Sequence, residues 1–153
     1  MSDVADRATG YWRSGWLCAE SVSKALAEAL GPDEDPEGLV DGPHLPRAAS
    51  GFCSGLARTG GMCGALSGAV LVIGLARGRS SLRDSLDIPY ALVQELREAF
   101  LAEFGSDNCA ELTGCRLDTA EGQKTYKERG LRDALCPRLI AFAAERGLTL
   151  LRE

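Results

Sequence analysis

The run from Gly61 to Ala76 constrains this chain more than any other stretch: it is apolar apart from Ser67, and charge returns only at Arg58 on one side and Arg77 on the other. It is shorter than the ~20 apolar residues that span a bilayer, so its apolar surface has to be buried inside the protein. The β-branched pair Val72-Ile73 would suit a strand. Gly64 and Gly68, and Ala65 and Ala69, instead repeat at helical spacing and leave a flat face for a close neighbour. The spacing predicts a central buried helix over Cys63 to Ala76, ended by Gly78.

The rest of the chain reads as helices placed around that one. Cys18, Val22, Leu26 and Leu30 recur every four residues and predict a helix from Trp16 to Leu30 with Cys18 facing the core; Gly31-Pro32 ends it. A short helical stretch is expected from Leu45 or Pro46, carrying Ala48, Ala49, Phe52 and Leu56, with a break over 58–62. A further helix begins between Asp87 and Pro89 and carries Leu92, Val93, Leu96, Phe100 and Phe104 on one side up to Gly105. A turn-rich connector, 106–117, leads to a capped helix start at 118–121 that runs to Arg129, and a last helix carries Leu135, Leu139, Ile140 and Phe142, with Pro137 in its first turn. At 153 residues the chain has the size of one domain able to bury about two thirds of its unfolded surface. The expected fold is all-α, a single-domain multi-helix bundle over 1–153, with 1–10 flexible and 31–44 an acidic Pro/Gly loop.

Charge and motif content remove several functions. A net charge of −5 with scattered Lys and Arg offers no surface for a phosphate backbone, so no nucleic-acid partner is expected. Asp33, Glu34, Asp35, Glu37 and Asp41 lack the alternating spacing of a calcium loop and read as a solvated loop. The only histidine, His44, falls in that loop, and there is no Gly-x-Ser-x-Gly elbow or Gly-Lys-Ser/Thr phosphate loop. Trp12 and Trp16 read as an interhelical packing pair. The first ten residues lack a signal-peptide layout and a twin-arginine pair, which gives an expectation of a cytoplasmic protein with no membrane partner.

Six cysteines, at 18, 53, 63, 109, 115 and 136, exceed what packing requires in a reducing compartment, so metal ligation or redox work leads. No C-x-x-C pair occurs, so any constellation has to be assembled by the fold. Cys63 stands at a helix start, where free N–H groups favour a thiolate or an anionic cluster, and Cys136 before Pro137 shares that position. Gly60, Gly61 and Gly64 either let amides approach a cofactor's sulfurs or form a tight turn beneath close helix packing. Cys53 and Cys115 read more simply as small buried hydrophobes.

The order Cys18, then Gly61-Met62-Cys63-Gly64-Ala65-Leu66-Ser67-Gly68, then Cys109 and Cys136-Pro137 resembles the C_GCAxxG_C_C family of redox-active cysteine proteins over nearly the whole chain. One departure is that the chain reads Cys63-Gly64-Ala65 where the family name writes Gly-Cys-Ala. The resemblance implies a helical domain with four shared cysteines and an iron–sulfur or similar prosthetic group. Three functions are therefore expected, in this order. The first is a redox or electron-transfer protein whose cluster is held by Cys18, Cys63, Cys109 and Cys136, with Gly64 beside it and Cys53 and Cys115 as further candidates. The second is a thiol–disulfide exchange protein without cofactor, using Cys63 with Cys109 or Cys136. The third is a zinc-bound scaffold. The expected partner is a redox protein, and the small-residue face of the central helix would also admit a homodimer.

Overall fold

The computed structural model describes residues 2–40 and 42–153; Asp41, expected in the acidic loop, lies outside them, as does Met1. Among the described residues the regular elements are helices, with one isolated antiparallel bridge between Met62 and Asn108. The expectation of a flexible first ten residues is corrected, because helix α1 (Asp3–Ser14) occupies most of them. Ser2 Oγ accepts the Ala5 N–H at 3.3 Å, and Val4, Ala8 and Trp12, at four-residue steps, are buried. That cap and stripe outweigh the polar composition.

Helix α2 (Cys18–Ala29) starts with the Leu17 N–H donating to the Glu20 carboxylate at 3.0 Å, and Val22 and Leu26 are fully buried on the expected stripe. The described residues between α2 and α3, 30–40 and 42–43, form no regular helix, after which α3 (His44–Ala49) begins at the exposed His44 and passes into a 3-10 turn, Ser50–Phe52. The expected right-handed continuation through Phe52 and Leu56 does not form. The next element, α4 (Cys53–Arg58), is wound the other way: Ser54, Gly55, Leu56 and Ala57 have φ of 59°, 64°, 54° and 55°, and Arg58 follows at 69°. A left-handed turn brings Cβ against the following carbonyl, at roughly 1–2 kcal/mol for each non-glycine residue.

Helix α5 (Gly64–Arg77) is the central element and packs on α2, α6 (Asp87–Phe104) and α10 (Cys136–Arg152). Its flat face works as expected: a Cβ at Gly68 would lie 2.6 Å from the Ala19 carbonyl oxygen, so α2 rests on bare backbone. Between α6 and α10 come three short helices, α7 (Cys109–Thr113), α8 (Ala120–Glu128) and α9 (Leu131–Ala134). Leu26, Leu66, Ile73, Leu96, Phe100, Ile140 and Leu150 form the fully buried core, and Phe100, Phe104 and Phe142 meet with ring centroids 4.8–6.0 Å apart. No described helix is long and apolar enough to cross a membrane. Of the two tryptophans, Trp12 is buried, whereas Trp16 is 40% exposed between α1 and α2.

Candidate functional site

Cys18 opens α2, Cys63 caps the start of α5, Cys109 opens α7 and Cys136 opens α10. All four line a single cavity of about 490 Å³. Backbone hydrogen bonds set two of them side by side. The Cys63 N–H donates to the Asp107 carbonyl at 2.7 Å and the Cys109 N–H donates to the Gly61 carbonyl at 2.8 Å. The Asn108 side-chain amide donates to the Gly60 carbonyl at 2.6 Å, while its Oδ1 accepts the Glu111 N–H and caps α7. The glycines before Cys63 thus tie the loop ahead of α5 to the loop ahead of α7.

The left-handed turn α4 touches both Cys18 and Cys109. The Ser54 N–H donates to Cys18 Sγ at 3.4 Å, and a Cβ at Gly55 would lie 2.3 Å from Cys109 Cβ. Gly64 is forced for the same reason, since a Cβ there would lie 2.3 Å from Cys18 Sγ. The departure from the family name is therefore compatible with this fold: a side chain at 64 has no room, and the cysteine stands at 63. Cys136 Sγ shares a hydrogen bond with the Tyr126 hydroxyl at 3.1 Å.

Burial raises the free thiols of Cys63, Cys109 and Cys136. It pushes Cys63, 5% exposed, up to about 12, although the Ala65 and Leu66 N–H groups at the helix start pull the other way. For the free Cys63 thiol, burial outweighs the helix start. Burial likewise raises Cys109 to about 11, and raises Cys136 against the opposing Tyr126 hydrogen bond and Arg132 charge. Tyr126 is raised as well, by burial and then by Cys136. Charged side chains on the cavity lining are Arg58, Lys127, Arg132 and Asp133, a positive balance in an acidic protein. Arg132 lies over the Trp12 ring, 4.7 Å from its centroid, and the Trp12 indole N–H donates to the Arg132 carbonyl at 2.8 Å.

Cys53 and Cys115 are buried and do not line the cavity. Cys115 Sγ is 3.4 Å from the Thr113 carbonyl behind α7, and Cys53 packs behind Cys18 with Ala19 and Ala49. Among the described residues, no three thiol, imidazole or carboxylate groups come close enough to share one metal ion. Trp12, Tyr126 and the left-handed turn join the site without having been singled out for it. The contact of Tyr126 with Cys136, ten positions on, is made by the fold and leaves no periodicity to read.

Residues 16–149 match the family described as "Putative redox-active protein (C_GCAxxG_C_C)". The chain belongs to the C_GCAxxG_C_C family. No curated protein and no solved structure matches it. Membership supports a redox-active cysteine protein, and Cys18, Cys63, Cys109 and Cys136 are the four cysteines that line the cavity.

Proposed function

We propose that this chain is an electron-transfer or redox-sensing protein that holds an iron–sulfur cluster between Cys18, Cys63, Cys109 and Cys136. The observation carrying this reading is that four thiols from four separate helix starts surround one cavity rather than converging on a point. Tetrahedral zinc would need its sulfurs all about 2.3 Å from one centre, so the spread of the thiols favours a polynuclear group. Bound there, the cluster would supply reversible one-electron transfer to a redox partner protein.

The chain's own groups suit an anionic group of this kind. At the start of α5 the Ala65 and Leu66 N–H groups reach the Cys63 sulfur, beside the positive end of that helix dipole. Ala65, Leu139 and Ile140 make part of the wall apolar and limit water. Gly55 and Gly64 keep the space between the sulfurs clear of Cβ atoms, and the Tyr126 hydroxyl can donate to the Cys136 sulfur. Thiols held protonated by burial lose their protons outright on coordination, so the raised values oppose free thiolates and not ligation. The alternative of Cys63 as an attacking thiolate has against it both its burial and its raised value.

The test is iron and acid-labile sulfide analysis with an absorption spectrum on anaerobically purified protein, beside Cys63→Ser. Iron and sulfide are expected in the wild type and a marked loss in the variant. Wild-type protein carrying neither, under handling shown to preserve clusters, would sink the reading.

A further inference from the structure

Cys53 is the buried nucleophile that the proposed site leaves unused. It is 4% exposed, absent from the cavity wall, and shares a small apolar cluster with Ala19 and Ala49 against which Cys18 packs. The residue that follows it, Ser54, donates its N–H to Cys18 Sγ at 3.4 Å. The Cys53 thiol donates to the Ala49 carbonyl at 3.8 Å, and the neighbouring Cys18 thiol together with burial raises its value. Cys18 thus has two faces: one lines the cavity beside Gly64, and the other meets Cys53.

We propose that Cys18 and Cys53 form an oxidisable dithiol whose reversible disulfide draws Cys18 out of the cavity, with a small-molecule disulfide as the oxidant. Cys18 reacts first, because it alone of the pair lines the cavity, which opens to solvent. Its thiolate attacks one sulfur of the oxidant, forming a mixed disulfide and expelling one thiolate. Cys53 then loses its proton and attacks the Cys18 sulfur, expelling the second thiolate. The S–S bond of the oxidant is broken and one is made between Cys18 and Cys53. Two electrons pass from the protein to the oxidant, and the two protons end on the released thiols. Resting on the cluster reading, the consequence is regulatory: a bridged Cys18 no longer ligates, so oxidation leaves three of the four cavity thiols and loosens the cluster.

The test treats the full-length chain with oxidised glutathione, then maps thiols by differential alkylation and peptide mass analysis, while iron release is followed separately. The expected wild-type product has lost two hydrogens and yields a Cys18–Cys53 bridged peptide, restored to free thiols by a reductant. Cys53→Ala should halt at glutathione on Cys18, and Cys115→Ala should behave as the wild type. A two-hydrogen loss mapping to another pair, or Cys53 recovered as a free thiol after Cys18 has reacted, would overturn the proposal. The wild-type map stands without the variants, and Cys53→Ser serves if Cys53→Ala fails to fold. Iron release is expected to accompany the bridge in the wild type, and iron fully retained in protein whose Cys18–Cys53 bridge has formed would overturn the regulatory part. Protein that never carries iron but still bridges Cys18 to Cys53 would refute the cluster reading alone.

Discussion

At Gly64 and Gly10 the same substitution has opposite consequences. A Cβ at Gly64 would stand 2.3 Å from Cys18 Sγ and 3.0 Å from the Phe52 carbonyl oxygen, and backbone on that side cannot yield as a flexible side chain would. Gly64→Ala should therefore destabilise the protein by roughly 1–3 kcal/mol, the range for overpacking, and displace Cys18 from the cavity. Gly10 lies inside α1 with nothing within 4 Å of its Cβ position, and Gly10→Ala should add about 0.5–1 kcal/mol through helix entropy. Urea midpoints of the two variants measure both signs; a Gly64→Ala midpoint at or above the wild type would contradict the packing argument. At Tyr126 the expected change is in potential. Tyr126→Phe removes the hydroxyl that can donate to Cys136 and should keep iron binding while lowering the midpoint potential. An unchanged potential in an iron-loaded variant would remove Tyr126 from the site's electronics. At this scale Cys63 and Cys136 were marked by helix starts, whereas Cys18 read only as core-facing and Cys109 as following a helix end, so the set of four rested on the family resemblance. The contact of Cys53 with Cys18 was not legible, since it joins residues from separate elements with no shared spacing.

Among the elements, long helices with a periodic apolar face were legible and short or unusual ones were not. Helices α5, α6 and α10 follow their stripes, because burying such a face leaves no competing arrangement. Helix α1 escaped because its stripe of Val4, Ala8 and Trp12 lies within a polar stretch at the chain's beginning. The left-handed turn α4 had no signal at all: of Ser54, Gly55, Leu56, Ala57 and Arg58, only glycine favours that conformation. It is held by the tertiary structure, through Gly55 against Cys109 and the Gly61 N–H donating to the Gly55 carbonyl at 3.0 Å. Relieving strain there should be stabilising. Ala57 is exposed with φ 55°, so Ala57→Gly gives up little burial and removes a Cβ from the left-handed region. Set against the greater unfolded-state freedom of glycine, a net gain of up to about 1 kcal/mol is expected. Thermal or urea unfolding of Ala57→Gly measures it, and a loss of stability would show that the turn is not strained at this position.

Over the whole molecule, the ends of α1, α2 and α10 are tied by carboxylates, and this gives the fold a calculable response to acid. Glu34, just beyond α2, accepts the Gly31 N–H at 2.9 Å and pairs with Arg152 Nε, near the end of α10, at 2.9 Å. Glu145 on α10 accepts the Ser2 N–H at 3.0 Å, and Glu28 on α2 takes the Tyr11 hydroxyl of α1 at 2.6 Å. The backbone and Arg152 bonds hold Glu34 below its ordinary value of 4.5, and the Ser2 bonds hold Glu145 below it too. Glu28 is also lowered: burial works against it, but the Tyr11 and Lys24 bonds prevail. A carboxylate lowered in the folded state binds its proton more readily when unfolded. Its contribution is present in full above the ordinary value and is lost as pH falls through the lowered folded-state value. The urea midpoint should accordingly fall as pH drops below about 4.5. Glu34→Gln should flatten part of that dependence, because the amide has no proton to take up in this range. Such acid loosening acts on the attachment of α10, whose first residue is Cys136, so cavity integrity and global stability should decline together. A urea midpoint that stays level from pH 7 to pH 3, or a Glu34→Gln profile parallel to the wild type, would show that these carboxylates are not what holds the helix ends.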